Sequence, residues 1–219
     1  AEIVIETQGR MTHSSNPEFG SNAADAMISI LSSIHQSYSP SFKPFFGENI
    51  LVLTTLRTYP DLGTGLVPEI CRAIFDLRVF PDDTPESVVR KFKGLIERAK
   101  DSLRGIKVKI FISETEDRTY TGASIRGTHF ARAWALPEES DYLKRALRAV
   151  ETLGMEGGVS DSPGFGTNGC YYAGELGIPT IVFGPSGRRL VHSIDEYIEI
   201  NDLFLAFQGY EGIAKEVLT

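Results

Sequence analysis

The chain has 219 residues, of which 42% are hydrophobic and 23% are charged, and its formal net charge at pH 7 is -7. These values are typical of a globular protein and exclude a disordered chain, and the acidic excess argues against nucleic-acid binding. The sequence contains no apolar run of the roughly 20 residues that span a bilayer. We therefore expect a cytoplasmic protein that contacts no membrane. The two cysteines, Cys71 and Cys170, are too few for a disulfide framework and are predicted to be buried free thiols.

The first half of the chain predicts a strand, a helix, two strands, a second helix and a final strand. Apolar and polar residues alternate in the strands, and apolar residues recur at helical spacing in the helices. The predicted elements are residues 3–7, 24–34, 50–56, 70–80, 84–105 and 106–112. This order is typical of the ferredoxin-like βαββαβ fold, in which two helices cover one face of a four-stranded antiparallel sheet.

The second half predicts part of an α/β domain. A stretch rich in Thr, Gly and Arg after residue 115 predicts no clear element, and we place a boundary there between domains of residues 1–116 and 117–219. The predicted elements that follow are helices from Pro137, at 169–176 and after Asn201, and a fully apolar strand at 178–183. Such a strand is buried on both faces in α/β sheets. Since this half supplies few neighbouring strands, we expect part of the sheet to lie outside the chain.

Two of the four histidines lie in loops that could carry chemistry. His13 follows a strand and precedes two serines, so it fits either a donor to a developing oxyanion or a turn cap. His192 follows a glycine-rich turn after the apolar strand, at the end of the sheet where α/β proteins place ligands. With Asp195 and Glu196 nearby, it fits either a zinc ligand or a surface-loop histidine. The sequence favours no particular role for His129.

Three sequence blocks carry a resemblance to a known family. They are GRMTHSSNP with GSNAA in residues 9–24, VPEIC with DLR and Pro81 in residues 67–81, and GTNG, GIP, FGP and HSIDEY in residues 166–197. In this order the blocks resemble the zinc-dependent peptidases and deacylases of the aminoacylase, acetylornithine deacetylase, succinyl-diaminopimelate desuccinylase and carboxypeptidase G group. The resemblance spans nearly the whole chain.

The resemblance implies a ferredoxin-like lid domain that forms a homodimer, followed by the carboxyl-terminal portion of an α/β catalytic domain. The intact enzyme would hold two zinc ions, or cobalt or manganese in their place, and would cleave an amide bond of an N-acyl amino acid or small peptide by metal-activated water. His13 matches the lid histidine that reaches the partner subunit's active site and polarises the scissile carbonyl. Asn168 and Gly169 match the stretch that lines the substrate pocket, and His192 matches a metal ligand.

The chain also departs from the family pattern. The family's His-x-Asp motif, bridging Asp and Glu pair lie upstream of the lid, and this sequence begins at the lid's first strand. We therefore expect the chain to need an upstream catalytic segment and to be inactive alone. Gly65 and Leu66 stand where the family often has Asn, so a polar contact to substrate is lost or supplied elsewhere. Two alternatives stay open: a non-catalytic dimerisation or binding module derived from such an enzyme, and a serine or thiol hydrolase using Ser14 or Cys170.

Overall fold

The computed structural model describes residues 1–61, 65–155, 166–185, 187 and 190–218. They form two compact units, one of Ala1–Arg132 and one of the described residues from Ala133 onward. The strands, all in the first unit, are β1 (Glu2–Gln8), β2 (Thr12–His13), β3 (Phe42–Lys43), β4 (Gly47–Glu48), β5 (Leu51–Tyr59), β6 (Leu66–Val67), β7 (Ile70–Leu77), β8 (Lys107–Ile112), β9 (Glu114–Arg118) and β10 (Ser124–Thr128). The α-helices are α1 (Ala23–Ser37), α2 (Pro85–Leu95), α3 (Asp141–Thr152), α4 (Gly169–Tyr172) and α5 (Ile200–Leu218).

The main sheet of the first unit has four strands in the order β5–β7–β1–β8. Every neighbouring pair is antiparallel, with Ile3 of β1 opposite Phe75 of β7 and Ile112 of β8. The side chains on one face alternate inward as predicted, and they pack under α1 and α2. The inward residues of β7 and the segment after it are Cys71, Ala73, Phe75, Leu77 and Val79, each at most 8% exposed. The predicted ferredoxin-like fold is therefore confirmed.

The two sheet-covering helices begin at side-chain caps, within a residue of their predicted starts. Asn22 accepts hydrogen bonds from the backbone N–H groups of Ala24 and Asp25, and Thr84 forms a capping box with Ser87. Helix α2 ends at Leu95, ten residues before the predicted end, and a 3-10 helix at Glu97–Leu103 continues its buried side. At this break the Ser33 hydroxyl of α1 donates a hydrogen bond to the Leu95 carbonyl oxygen at 2.6 Å.

A hairpin of β9 and β10 follows the sheet directly. Its residues are exposed on nearly every side, so it lacks the alternation that predicts a strand. Backbone hydrogen bonds tie its base to β1, from Ser113 to Glu2 and from Glu2 to His129. The hairpin lies in the first unit, and the predicted domain boundary after residue 116 stays a prediction.

The second unit is built on the packing of α3 against α5, where Ala146, Ala149 and Ala206 are buried. The prediction of a strand at residues 178–183 is wrong for this structure. Within the described part of the chain no strand lies beside this segment to supply the hydrogen bonds that a sheet requires. Helix α5 begins at Ile200, so Asn201 lies in its first turn rather than at its cap. None of the described helices is long and apolar enough to cross a membrane.

Candidate active-site residues

His13 lies at the end of β2, in a short ladder that pairs it with Leu66 of β6. The Ser14 N–H donates to the Gly65 carbonyl at 2.7 Å, and the Asn16 N–H donates to the His13 carbonyl at 2.9 Å. These backbone bonds hold both sides of the residue, while its side chain is exposed. The sequence between His13 and α1 thus forms a defined turn that presents the imidazole to solvent.

One nitrogen of the His13 imidazole is occupied by a single neighbouring residue. The Ser15 backbone N–H donates to Nδ1 at 3.2 Å, and the Ser15 Oγ lies 2.8 Å from the same nitrogen. A backbone N–H can only donate, so Nδ1 of the neutral ring is the acceptor and the proton resides on Nε2. The imidazole therefore offers an exposed N–H donor at its outer end. The contact is made by Ser15 and not by Ser14, on which the serine-hydrolase alternative rested.

Gly65 lies close to the Nε2 side of the His13 ring. Its φ is +66°, a left-handed conformation that glycine adopts without strain. A Cβ at this position would lie 3.9 Å from Nε2 of His13 and 3.5 Å from the Ser14 hydroxyl. The stretch in which the sequence departs from the family pattern is therefore adjacent to the exposed nitrogen of His13.

His192 lies in the second unit, in a turn where its own φ is +60°. Its backbone N–H donates to the Glu196 carboxylate at 3.1 Å, and its side chain is exposed. Among the described residues no group of three or more His, Cys, Asp or Glu side chains could hold a metal ion. These residues offer one candidate imidazole and do not by themselves fit a complete metal site.

Asn168 and Gly169 stand at the start of α4. The Gly169 backbone N–H donates a hydrogen bond to the Thr167 hydroxyl at 3.0 Å. A Cβ on Gly169 would approach the Trp134 ring to 2.6 Å, so this glycine allows the indole to pack on the backbone. Asn168 is exposed beside this contact. The assignment of both residues to a substrate pocket stays a prediction.

The remaining candidate residues have structural partners. Arg78 forms an ion pair with Asp76 at 2.9 Å, and Nδ1 of His129 lies 3.4 Å from the Glu2 carboxylate. The Cys71 thiol is buried as predicted, and burial raises its pKa. The prediction that Cys170 is buried is wrong, because it lies on the four-residue helix α4 and is half-buried.

The sequence did not predict the buried carboxylate of Glu6, which lies on the sheet face opposite the helices. Glu6 is 6% exposed, and its oxygens lie 2.7 Å from Arg72 Nε and 3.3 Å from Lys109 Nζ. Burial raises the pKa of Glu6, but hydrogen bonds and charge from Arg72 and Lys109 outweigh it and hold the pKa below its ordinary value. This cluster joins the three strands β7, β1 and β8.

Comparisons with known proteins find several relatives of the chain. Residues 1–103 match the family described as the peptidase dimerisation domain, M20_dimer. The chain is 26% identical over 196 residues to the uncharacterized protein YgeY of Escherichia coli K12, covering 89% of this chain and 47% of that protein. It is 23% identical over 216 residues to succinyl-diaminopimelate desuccinylase of Psychrobacter arcticus, covering 98% of this chain and 48% of that protein.

A solved structure extends the likeness to the fold. The M20 family metallo-carboxypeptidase Sso-CP2 of Sulfolobus solfataricus superposes with a TM-score of 0.62 at 16% identity, over 100% of this chain and 59% of that one. The chain spans about half the length of the curated relatives that it matches.

Proposed function

We propose that the chain is the carboxyl-terminal portion of a metal-dependent amidohydrolase or peptidase, whose residues 1–103 match the family model described as the peptidase dimerisation domain. Its substrate would be the amide bond of an N-acyl amino acid or a small peptide. The observation that carries this proposal is the exposed imidazole of His13, whose Nδ1 accepts from the Ser15 backbone N–H and so leaves Nε2 directed away from that contact. The relatives named desuccinylase and metallo-carboxypeptidase support the reaction class.

In this proposal His13 acts as an electrophilic donor. Attack on an amide carbonyl places negative charge on the carbonyl oxygen, and a positioned N–H donor stabilises that charge more than it stabilises the ground state. A neutral imidazole that is protonated on Nε2 can supply this donor. The exposed position of His13 leaves room for a carbonyl oxygen beside it.

The metal would supply an activated water as the nucleophile, and relatives of the M20 family imply a metal cofactor. We propose zinc as that metal, since imidazole and carboxylate oxygens suit it. His192 would contribute one ligand, while the other ligands would come from an upstream segment. Asn168 would orient the substrate, beside the contact that Gly169 makes with Trp134.

The second unit supports the need for such a segment. Helix α5 carries large apolar side chains that are exposed, and a contiguous exposed apolar patch usually marks an interaction surface. These residues are Ile200 at 71%, Leu203 at 53%, Phe204 at 64% and Phe207 at 66% exposure. Val182, in the apolar segment that pairs with no described strand, is 63% exposed. Both features fit a surface that a further part of an α/β domain would cover.

The first unit supports a homodimer formed through one edge of its sheet. The two edges are β5 and β8, and they differ in chemistry. Edge strand β8 carries Lys107 and Lys109, and lysines on an edge oppose pairing with another strand. Edge strand β5 has Arg57 as its one charged residue and exposes Val52, Leu53 and Leu56 by 41–52%. We therefore assign the dimer contact to β5, in an arrangement related by twofold symmetry.

A non-catalytic dimerisation module remains the competing function. One experiment separates the two. Zinc content and hydrolysis of N-acyl amino acids and dipeptides are measured for the chain alone and for the chain combined with an upstream segment that carries a His-x-Asp motif. Activity with bound metal in the combination alone supports the enzyme. A stable dimer without metal or activity in either preparation supports the module, and strong activity of the chain alone contradicts both.

A further inference from the structure

The hairpin of β3 and β4 exposes two phenylalanine rings beside the start of the β5 edge. Phe42 is 69% exposed and Phe45 is 48% exposed. We propose that this hairpin is a second part of the dimer interface and packs against another copy of the chain, an inference that rests on the proposed homodimer. The occupant of the hairpin surface is thus a second copy of the first unit and not an unrelated protein.

The inner side of the hairpin is fixed to the first unit. The Phe46 ring packs edge-on against Phe80, with ring centroids 6.1 Å apart. Lys43 pairs with Asp82, and its ammonium group lies over the same Phe80 ring. Since Lys43 points inward, its neighbour Phe42 on β3 points outward. The backbone that carries the exposed rings is therefore held in place before a partner binds, which reduces the entropy lost on association.

The base of the hairpin adjoins the first residue of β5. Asn49 is 5% exposed; its N–H donates to the Ser41 carbonyl at 2.9 Å, and its side-chain oxygen accepts from the Ser41 N–H at 2.7 Å. The Tyr38 hydroxyl donates to the same side-chain oxygen at 3.0 Å. Leu51 begins β5 two residues later, and Ile50 between them is 47% exposed. When two copies of β5 pair antiparallel about a twofold axis, the start of each strand lies beside the end of the other, so the hairpin faces the second copy.

Phe45 has a backbone conformation that its side chain does not favour. The Phe46 N–H donates to the Lys43 carbonyl at 3.2 Å, so Pro44 and Phe45 are the two central residues of the turn, and the φ of Phe45 is +67°. A positive φ at the second central position normally requires glycine, and it is costly for a residue with a Cβ. A ring left in water does not offset this cost, whereas a ring buried by a partner does.

The apolar area of β5 alone is small for a stable dimer. Specific interfaces bury about 800 Å² on each partner. The exposed parts of Val52, Leu53 and Leu56 amount to about 150 Å². The exposed parts of Phe42 and Phe45 amount to about 230 Å². The hairpin therefore more than doubles the apolar area that this side of the unit offers to a second copy.

Two substitutions remove the rings and keep the turn. Phe42→Ala shortens an exposed side chain, and Phe45→Gly also provides the residue that the positive φ favours. Because each ring is buried twice in a twofold dimer, we expect either variant to raise the dimer dissociation constant by roughly 30-fold or more. Sedimentation velocity on the full chain over a series of concentrations measures this constant. The matched control is Phe111→Ala on β8, at the opposite edge of the sheet, which should leave the constant unchanged.

The Leu56→Lys variant, measured beside these, separates the hairpin from the β5 edge. Unchanged dimerisation of both hairpin variants while Leu56→Lys dissociates overturns the hairpin contact and leaves the β5 edge standing. Weaker dimerisation of the hairpin variants with no effect of Leu56→Lys supports the hairpin contact and refutes the assignment to β5. A chain that is monomeric at every concentration overturns the hairpin contact and the homodimer together.

Hydrogen exchange gives a readout that a purely structural role of the rings does not move. We expect the segment 41–50 to exchange more slowly at concentrations above the dimer dissociation constant than below it. Equal exchange at both concentrations overturns the proposal, even where a hairpin variant weakens the dimer. The thermal midpoint of Phe45→Gly, recorded where the chain is monomeric, should equal or exceed that of the unmodified chain, and a large decrease would attribute the lost affinity to unfolding and overturn the contact.

Discussion

Replacing Leu56 with lysine tests the assignment of the dimer contact to the β5 edge. Leu56 lies on β5 opposite Ala73 of β7, and 52% of its surface is exposed. In a dimer formed through this edge the leucine loses that exposure, whereas the substituted lysine places a charge in the same position. The substitution therefore removes an apolar contact and adds a lysine, the residue type that commonly prevents edge strands from pairing.

The magnitude follows from the exposed fraction. Full burial of a leucine is worth roughly 1.5–3 kcal/mol, so burial of the 52% that is exposed in Leu56 is worth about 1 kcal/mol. Twofold symmetry doubles the effect to about 2 kcal/mol, which corresponds to roughly a 30-fold increase in the dimer dissociation constant. Repulsion between the two introduced lysines adds to this value.

Sedimentation velocity over a series of protein concentrations measures the dissociation constant. The matched control is Phe111→Lys, which replaces an apolar residue that is 38% exposed on β8, at the opposite edge of the same sheet. We expect the control to dimerise like the unmodified chain. Dimerisation of Leu56→Lys with unchanged affinity, or dissociation caused by Phe111→Lys instead, would refute the assignment.

Three further predictions concern the site and the sheet. Gly65→Ala forces a left-handed φ on a residue with a Cβ and should lower the free energy of unfolding by about 1–2 kcal/mol, measured by urea denaturation. His192→Ala should reduce the zinc bound by the enzyme that contains this chain, measured by atomic emission, while the dimer stays intact; full metal retention would contradict the ligand role. The pKa of Glu6 lies below its ordinary value of 4.5, so its ionised form stabilises the fold above that pH and the contribution disappears as pH falls through the folded pKa. Glu6→Gln should therefore lower the free energy of unfolding above about pH 4.5, and the difference from the unmodified chain should shrink as the pH falls below that value. Denaturation curves recorded at successive pH values measure this difference.

The sequence predicted the first unit well because its signals are local and repeated. Alternation in the segment from Ile70 to Phe80 specified the buried face, and the predicted starts at residues 24 and 84 lie within a residue of the observed starts of α1 and α2. The hairpin of β9 and β10 escaped prediction because its strands are solvated on nearly all sides and carry no periodic apolar pattern. The early end of α2 was not predicted, since the hydrogen bond at that point comes from Ser33 on another helix and leaves no local sequence signal.

At the site, the sequence motifs identified His13 but did not show which of its ring nitrogens carries the proton. Whether Nδ1 or Nε2 carries the proton depends on which donors face the ring, and that follows from the turn that brings Ser15 back onto it. Nothing in the sequence favours Ser14 or Ser15 as the neighbour of the ring, and in the structure the contact is made by Ser15. Gly65 is separated from His13 by about fifty residues in the sequence, and it lies beside His13 because β2 pairs with β6.

The second unit shows the limit of reading a fold from pattern alone. The apolar run at residues 178–183 has the composition of a buried strand, yet a strand exists through hydrogen bonds to neighbours, which the described residues do not provide. The large apolar side chains that pack in the first unit are at most 8% exposed, whereas Ile200, Phe204 and Phe207 of α5 are 64–71% exposed. Leaving so much apolar surface in water costs about 25 cal/mol for each Å², which gives this helix a strong tendency to bind a matching surface. We therefore expect α5 and the apolar run to become protected from hydrogen exchange together when the upstream segment is supplied, and protection of one without the other would show that they do not share a partner.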